Sequence, residues 1–143
     1  MSRYAHATFC DDIRMEVGQK ISLMGIYMAI LQIPEMPATL PKLCIHAQCV
    51  TSRDTPFKSL AFELRLGEEI LQSHEFPGDV LTKLTTQINE DALEPYTRTS
   101  LIVNLTLAPF NIPKEDTLRL VFKADGETLE AGALRLRIGA TAQ

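Results

Sequence analysis

Between Ser59 and Leu66 the chain alternates without a break. Leu60, Phe62, Leu64 and Leu66 are apolar, and Ala61, Glu63 and Arg65 between them are small or charged. A period of two places one set on each face of a β-strand, and a helix, whose faces repeat every three to four residues, cannot use it. The pattern recurs along the chain. Leu43, Ile45, Ala47 and Cys49 alternate with Lys42, Cys44, His46 and Gln48, and Leu101, Val103, Leu105 and Leu107 with Ser100, Ile102, Asn104 and Thr106. Leu118, Leu120, Phe122 and Ala124 alternate with Thr117, Arg119, Val121 and Lys123, and Leu134, Leu136 and Ile138 with Arg135 and Arg137. Ala5, Ala7 and Phe9 form a shorter example that reads as an edge strand. Gly67-Glu68 and Asp125-Gly126 carry hairpin-turn chemistry. About eight strands at roughly ten-residue intervals predict an all-β fold, a two-sheet Ig-like β-sandwich with at most one short helix. Each strand then buries its apolar face against the opposite sheet. The length of 143 residues suits one domain, and no repeat, low-complexity tract or linker divides it, so residues 1–143 are read as a single sandwich.

One stretch departs from simple alternation. Phe9 to Lys20 is largely polar, and Ile21 to Ile33 is almost wholly apolar. The polar part, Asp11 to Glu16 with Gly18 behind it, reads as a turn whose aspartates cap backbone N–H groups. The apolar part reads as the central strand. One face carries Ile21, Leu23, Gly25, Tyr27, Ala29 and Leu31, and the other Ser22, Met24, Ile26, Met28 and Ile30. A sandwich strand needs only one apolar face. The second is therefore covered either by another segment of the chain or by a partner, and Met24, Ile26, Met28 and Ile30 become interface candidates, with Asp11, Asp12, Arg14 and Glu16 of the preceding turn beside them. Pro34, Pro37 and Pro41 mark a loop, as does the stretch from Pro109 to Asp116. From Asp79 to Tyr96, Leu81, Leu84 and Ile88 sit at helical spacing, with Asp79 placed as an N-cap and Pro95 as a stop. Thr82, Thr85 and Thr86 argue against a helix there.

Composition excludes several classes. Hydrophobic residues at 45% and charged residues at 22% place the chain among globular proteins. A net charge of −4 with singly scattered Arg and Lys offers no electrostatic footprint for nucleic acid. Arg119, Lys123, Arg135 and Arg137 share the outward face of the last hairpin, where charged residues are the usual occupants. The run from Ile21 to Ile33 is too short to span a membrane as a helix. Three cysteines without framework spacing, and an opening Met1 to His6 without an apolar signal region, lead to the expectation of free thiols in the cytoplasm.

Candidate chemistry is sparse. His6 and Cys10 share one strand face, as do Cys44 and His46, and adjacent strands would offer two thiols and two imidazoles to zinc. The close Cys-x-x-Cys pairs of structural zinc sites are missing. His6, Cys10 and Asp12 contain the members of a thiol dyad, which would need hydrogen-bond reach and an orienting group. Asp11, Asp12, Asp54 and Asp125 are each explained by turn chemistry rather than by calcium. Neither a nucleophile elbow, a zincin pair, a phosphate loop nor a dinucleotide fingerprint is present, and no cofactor is expected.

The opening Phe9-Cys10-Asp11-Asp12-Ile13-Arg14, followed by Glu16, Gly18, Lys20, Ser22-Leu23, Gly25 and Tyr27, resembles that of a family of uncharacterised bacterial and phage proteins, a domain of unknown function. The closing part, Ile112-Pro113 through Leu118-Arg119-Leu120 to Asp125-Gly126-Glu127, is similar to that family's last hairpin. The resemblance covers nearly the whole chain and implies a small stand-alone sandwich. It supplies no activity, cofactor or catalytic residue. The expected function is a non-enzymatic module that binds a protein partner or itself, encoded by a phage or prophage and acting on a host protein. The alternatives are a self-assembling virion component and a small Cys/His-dependent hydrolase or metal-binding protein.

Overall fold

The computed structural model describes residues 3–86 and 91–139. In chain order its elements are β1 (Tyr4–Glu16), β2 (Lys20–Ile26), β3 (Ile30–Ile33), β4 (Ala38–Leu40), β5 (Leu43–Ser52), β6 (Leu60–Leu66), β7 (Glu69–Glu75), α1 (Gly78–Thr86), β8 (Arg98–Leu107), β9 (Phe110–Ile112), β10 (Asp116–Ala124) and β11 (Glu127–Ile138). A four-stranded sheet runs β2-β1-β5-β8, a five-stranded sheet runs β3-β11-β10-β6-β7, and β4 pairs with β9 at one end. The β3–β11 pair is parallel, and the other pairings are antiparallel. The result is an all-β sandwich with one short helix among the described residues. No helix among them is long and apolar enough to cross a membrane.

The alternating strands do what their period dictates. Phe9, Ile45, Ala47, Cys49, Leu101, Val103 and Leu105 point inward from the four-stranded sheet, and Phe62, Leu64, Leu118, Leu120, Phe122, Leu134 and Leu136 meet them from the other, all nearly free of solvent. Fully burying a side chain of this size stabilises the fold by about 1.5–3 kcal/mol. Helix α1 closes one end with Leu81 buried and Leu84 packed against the core. Asp79 lies in its first turn. The carbonyl that accepts the first N–H groups, from Val80 at 3.1 Å and Leu81 at 3.3 Å, belongs to Pro77, so the cap position falls there and not at Asp79. Ile88 lies outside the described residues.

Three expectations change. Asp11 to Glu16 is strand, not turn. β1 continues through it, and the reversal is confined to Val17, Gly18 and Gln19. Polar residues at Asp12, Arg14 and Glu16 mask an alternation in which Ile13 faces Leu23 and Met15 faces Ile21 across the hairpin. Nor is the apolar run one central strand. It splits into β2 and β3, edge strands of different sheets, and the chain crosses between them at Tyr27, Met28 and Ala29. It is apolar on both faces because its first half lines a hairpin and its second half enters the opposite side of the sandwich, where Leu31 and Ile33 are buried. Within the loop expected between Pro109 and Asp116, β9 forms a short pair with β4 from the proline-rich segment.

Candidate functional site

Strand β1 changes neighbours part-way along. Tyr4 to Cys10 pairs with β5, and Cys10 to Glu16 pairs with β2. Cys10 has a register partner on both sides, Cys44 and Ile26. Beyond it the β1–β2 hairpin forms an arm, because among the described residues β2 is hydrogen-bonded to β1 and to no other strand. Ile13, Ile21 and Leu23 of the arm are partly buried, but they lie outside the core cluster.

The root of the arm is held by polar contacts that use the opening aspartates. The Tyr27 hydroxyl donates to Asp11 Oδ1 at 2.5 Å, and the Tyr27 N–H donates to the Phe9 carbonyl at 2.9 Å. Gly25, at φ +67°, leaves space that the Asp11 carboxylate fills. Burial, reinforced by Asp11, pushes the Tyr27 phenol up to about 12. Asp12 accepts from the Lys42 ammonium at 2.5 Å and from the Ile13 N–H at 3.0 Å. That lysine contact holds the Asp12 carboxyl below its ordinary range and raises Lys42. These aspartates bind the crossing segment and β5's approach to β1, and neither caps a turn.

The apolar candidates divide between two surfaces. Met24 and Ile26, 47% and 51% exposed, stand on the outer face of the four-stranded sheet opposite Asp12 and Cys10. Met28, 84% exposed, sits on the crossing between sheets, and Ile30 stands beside Arg135 on the other sheet. Arg14, exposed, and Glu16, half-buried, form a pair at 3.8 Å on the arm. Ile102 of β8 extends the outer face on the far side and is exposed as well.

The same outer face carries the thiols and imidazoles. Cys10 lies opposite Cys44, Thr8 opposite His46, and His6 opposite Gln48. The strands are adjacent, yet the four residues do not gather: no group of three or more His, Cys, Asp or Glu among the described residues is placed to hold a metal ion. His6 is two same-face positions from Cys10, about 13 Å along the strand. His46 Nδ1 is engaged with Asn104 Oδ1 at 2.7 Å, Cys44 Sγ lies 3.7 Å from Thr106 Oγ1, and Cys10 Sγ donates to the Asp12 carbonyl at 3.4 Å. Burial, followed by the neighbouring Cys44, pushes the Cys10 thiol up. Cys49 faces the core, where burial raises its thiol to about 11.

On the outer face of the five-stranded sheet the basic residues are interleaved with carboxylates. Lys123 meets Glu63 at 2.9 Å, Arg65 Nε meets the same carboxylate at 2.8 Å, and Arg119 stands 3.7 Å from Glu130. Arg137 donates to the Asp116 carbonyl at 2.7 Å. Sequence reading also missed a cleft. Where β4–β9 meets the β6–β7 hairpin, an open recess of about 720 Å³ is walled by Pro37, Pro109, Phe110, Leu66 and Leu71. Proline clusters in both flanking segments were the available signal. Its polar lining is Glu69 at the rim and a Thr39 hydroxyl that donates to Asn111 Oδ1 at 2.9 Å, which is not an acid–base pair.

No curated protein and no solved structure matches the chain. The arm, its root and the closing hairpin all fall within residues 5–138, the stretch matched by the sequence model of a family of unknown function (DUF6941), and the chain belongs to that family.

Proposed function

We propose that this chain is a non-enzymatic protein-binding module that meets its partner with the β1–β2 arm and the crossing behind it. The observation that carries this is the arm itself: a hairpin paired, among the described residues, to the body through β1 alone, with Met24, Ile26 and Met28 exposed at its base. An isolated two-stranded hairpin is marginal in water and gains order when something packs on it. Methionine adapts to varied partner surfaces. The hydrogen-bonded state of His46 and both outer-face thiols supports a binding role over a hydrolytic one. Three free thiols fit a reducing, cytoplasmic setting, and phage or prophage origin with a host protein as target belongs to the same reading.

The test compares wild type with Met28→Glu in affinity capture from host lysate and in light scattering of the purified protein. A partner held by wild type and lost by the variant, at an unchanged unfolding temperature, supports the reading. Self-association lost in the same variant makes the partner a second copy, as a virion component requires. Capture that is indifferent to Met28 and to Met24→Glu removes the arm as the binding surface.

A further inference from the structure

Cys10 and Cys44 are register partners on adjacent antiparallel strands, both essentially free of solvent and both outside the core cluster. Their place in the ladder follows from one bond. The Tyr27 N–H donates to the Phe9 carbonyl, so the polar groups of Phe9 point toward β2 and those of Cys10 point the other way, toward Cys44. The two cysteines therefore occupy a hydrogen-bonded site, where opposed Cα atoms stand about 5.5 Å apart. That lies inside the span of about 4.4–6.8 Å that a disulfide bridges. The Cβ atoms at such a site are about 5.5 Å apart, beyond the span of about 3.5–4.5 Å in disulfides, so the two strands must draw together by about 1 Å for the bond to form, and the bond is then strained and readily reduced. Both thiols are closed off from solvent. Ile26 stands opposite Cys10, and Lys42, which pairs with Asp12, is near enough that both thiols act electrostatically on it.

We infer that Cys10 and Cys44 form a reversible intrachain disulfide when the protein meets a small-molecule disulfide oxidant. One thiolate attacks a sulfur of the oxidant, forming a mixed disulfide and expelling one small thiolate. The second cysteine's thiolate then attacks the protein sulfur of that mixed disulfide, forming the Cys10–Cys44 bond and expelling the other. The cysteine pair gives up two electrons, the oxidant takes them, and the two protons leave with the small thiols. The bond ties β5 to the one residue of β1 from which the arm departs. The inference stands apart from the partner-binding reading, because its readouts are chemical and need no partner.

The native protein is incubated with oxidised glutathione, quenched by alkylation under denaturing conditions and mapped by mass spectrometry. The expected product has lost two of its three alkylatable thiols, carries one cross-link joining the peptides of Cys10 and Cys44, and keeps Cys49 free. Millimolar reduced glutathione returns all three thiols. Cys49→Ser forms the same cross-link. Three free thiols after oxidation, glutathione adducts that never resolve to a cross-link, a cross-link involving Cys49, or a bond that millimolar reduced glutathione leaves intact would each overturn the inference.

Discussion

Gly25 has no Cβ where Asp11 needs the space: an atom there would stand 2.2 Å from Asp11 Oδ2. Gly25→Ala therefore combines a left-handed backbone at φ +67°, which disfavours alanine, with displacement of the carboxylate that receives the Tyr27 hydroxyl. The expected loss is about 2 kcal/mol in urea unfolding. Tyr27→Phe, which removes the hydroxyl alone, costs about 1 kcal/mol. Equal costs for the two variants would show that the glycine's backbone and the space it leaves are unimportant.

Ala29 supplies the opposite sign. It sits at φ +78° on the crossing between sheets, a conformation that costs a residue bearing a Cβ about 1–2 kcal/mol. Its carbonyl accepts from the Arg135 N–H at 2.9 Å, which fixes it there. Ala29→Gly relieves the strain and is expected to raise the unfolding midpoint, with a net gain of about 0.5–1 kcal/mol once the looser unfolded chain is counted. An unchanged or lower midpoint would rule this out.

Asp125 links stability to pH. Burial works against its carboxylate, but the Ser59 N–H at 2.7 Å, the Lys58 N–H at 3.1 Å and the Arg3 guanidinium at 2.7 Å outweigh it, and the group sits below its ordinary 3.8. The unfolded chain takes up the proton first as pH falls. The contribution is thus complete above about pH 5 and is lost as pH drops through 3.8 and then through the lower folded-state value. Asp125→Asn keeps a residue that tolerates the left-handed turn at φ +50° and removes the charge. It should lower stability at pH 7 by about 1–2 kcal/mol and flatten the acid limb of the stability–pH curve. An acid limb identical to wild type would exclude Asp125 as its source.

Core and arm should separate cleanly in truncation experiments. Leu120 is fully buried between the sheets, and Leu120→Ala is expected to cost about 3 kcal/mol. Met28→Ala, at a site 84% exposed, should stay within about 0.5 kcal/mol. Calorimetry of the two variants decides it, and a comparable loss at Met28 would make that side chain part of the folded body.

Strands with one apolar and one polar face were legible because burial enforces the period: Leu60 to Leu66 and Leu118 to Ala124 needed nothing beyond alternation. Asp11 to Glu16 misled because its polar character resembles a turn, while the partners that make it a strand, Ile21 to Met24, lie across a hairpin. The split of Ile21 to Ile33 between two sheets depends on Gly25 and Ala29 taking left-handed backbones, and alanine does not announce that in a sequence. Alternation places Cys10 and Cys44 on one face if their strands are adjacent. That they oppose each other follows from a register set by Tyr4 to Cys10 against Cys44 to Val50, which alternation alone leaves undetermined.

The parallel pair of β3 and β11 bears on synthesis. Ile30 and Arg135 are register partners about a hundred residues apart. A ribosome emits β3 about a hundred residues before the strand that receives it. Over that interval Leu31 and Ile33 are exposed to whatever surrounds the nascent chain, with local pairing confined to the hairpins already made. A chaperone that grips short apolar segments would find its earliest foothold there and lose it when β11 emerges.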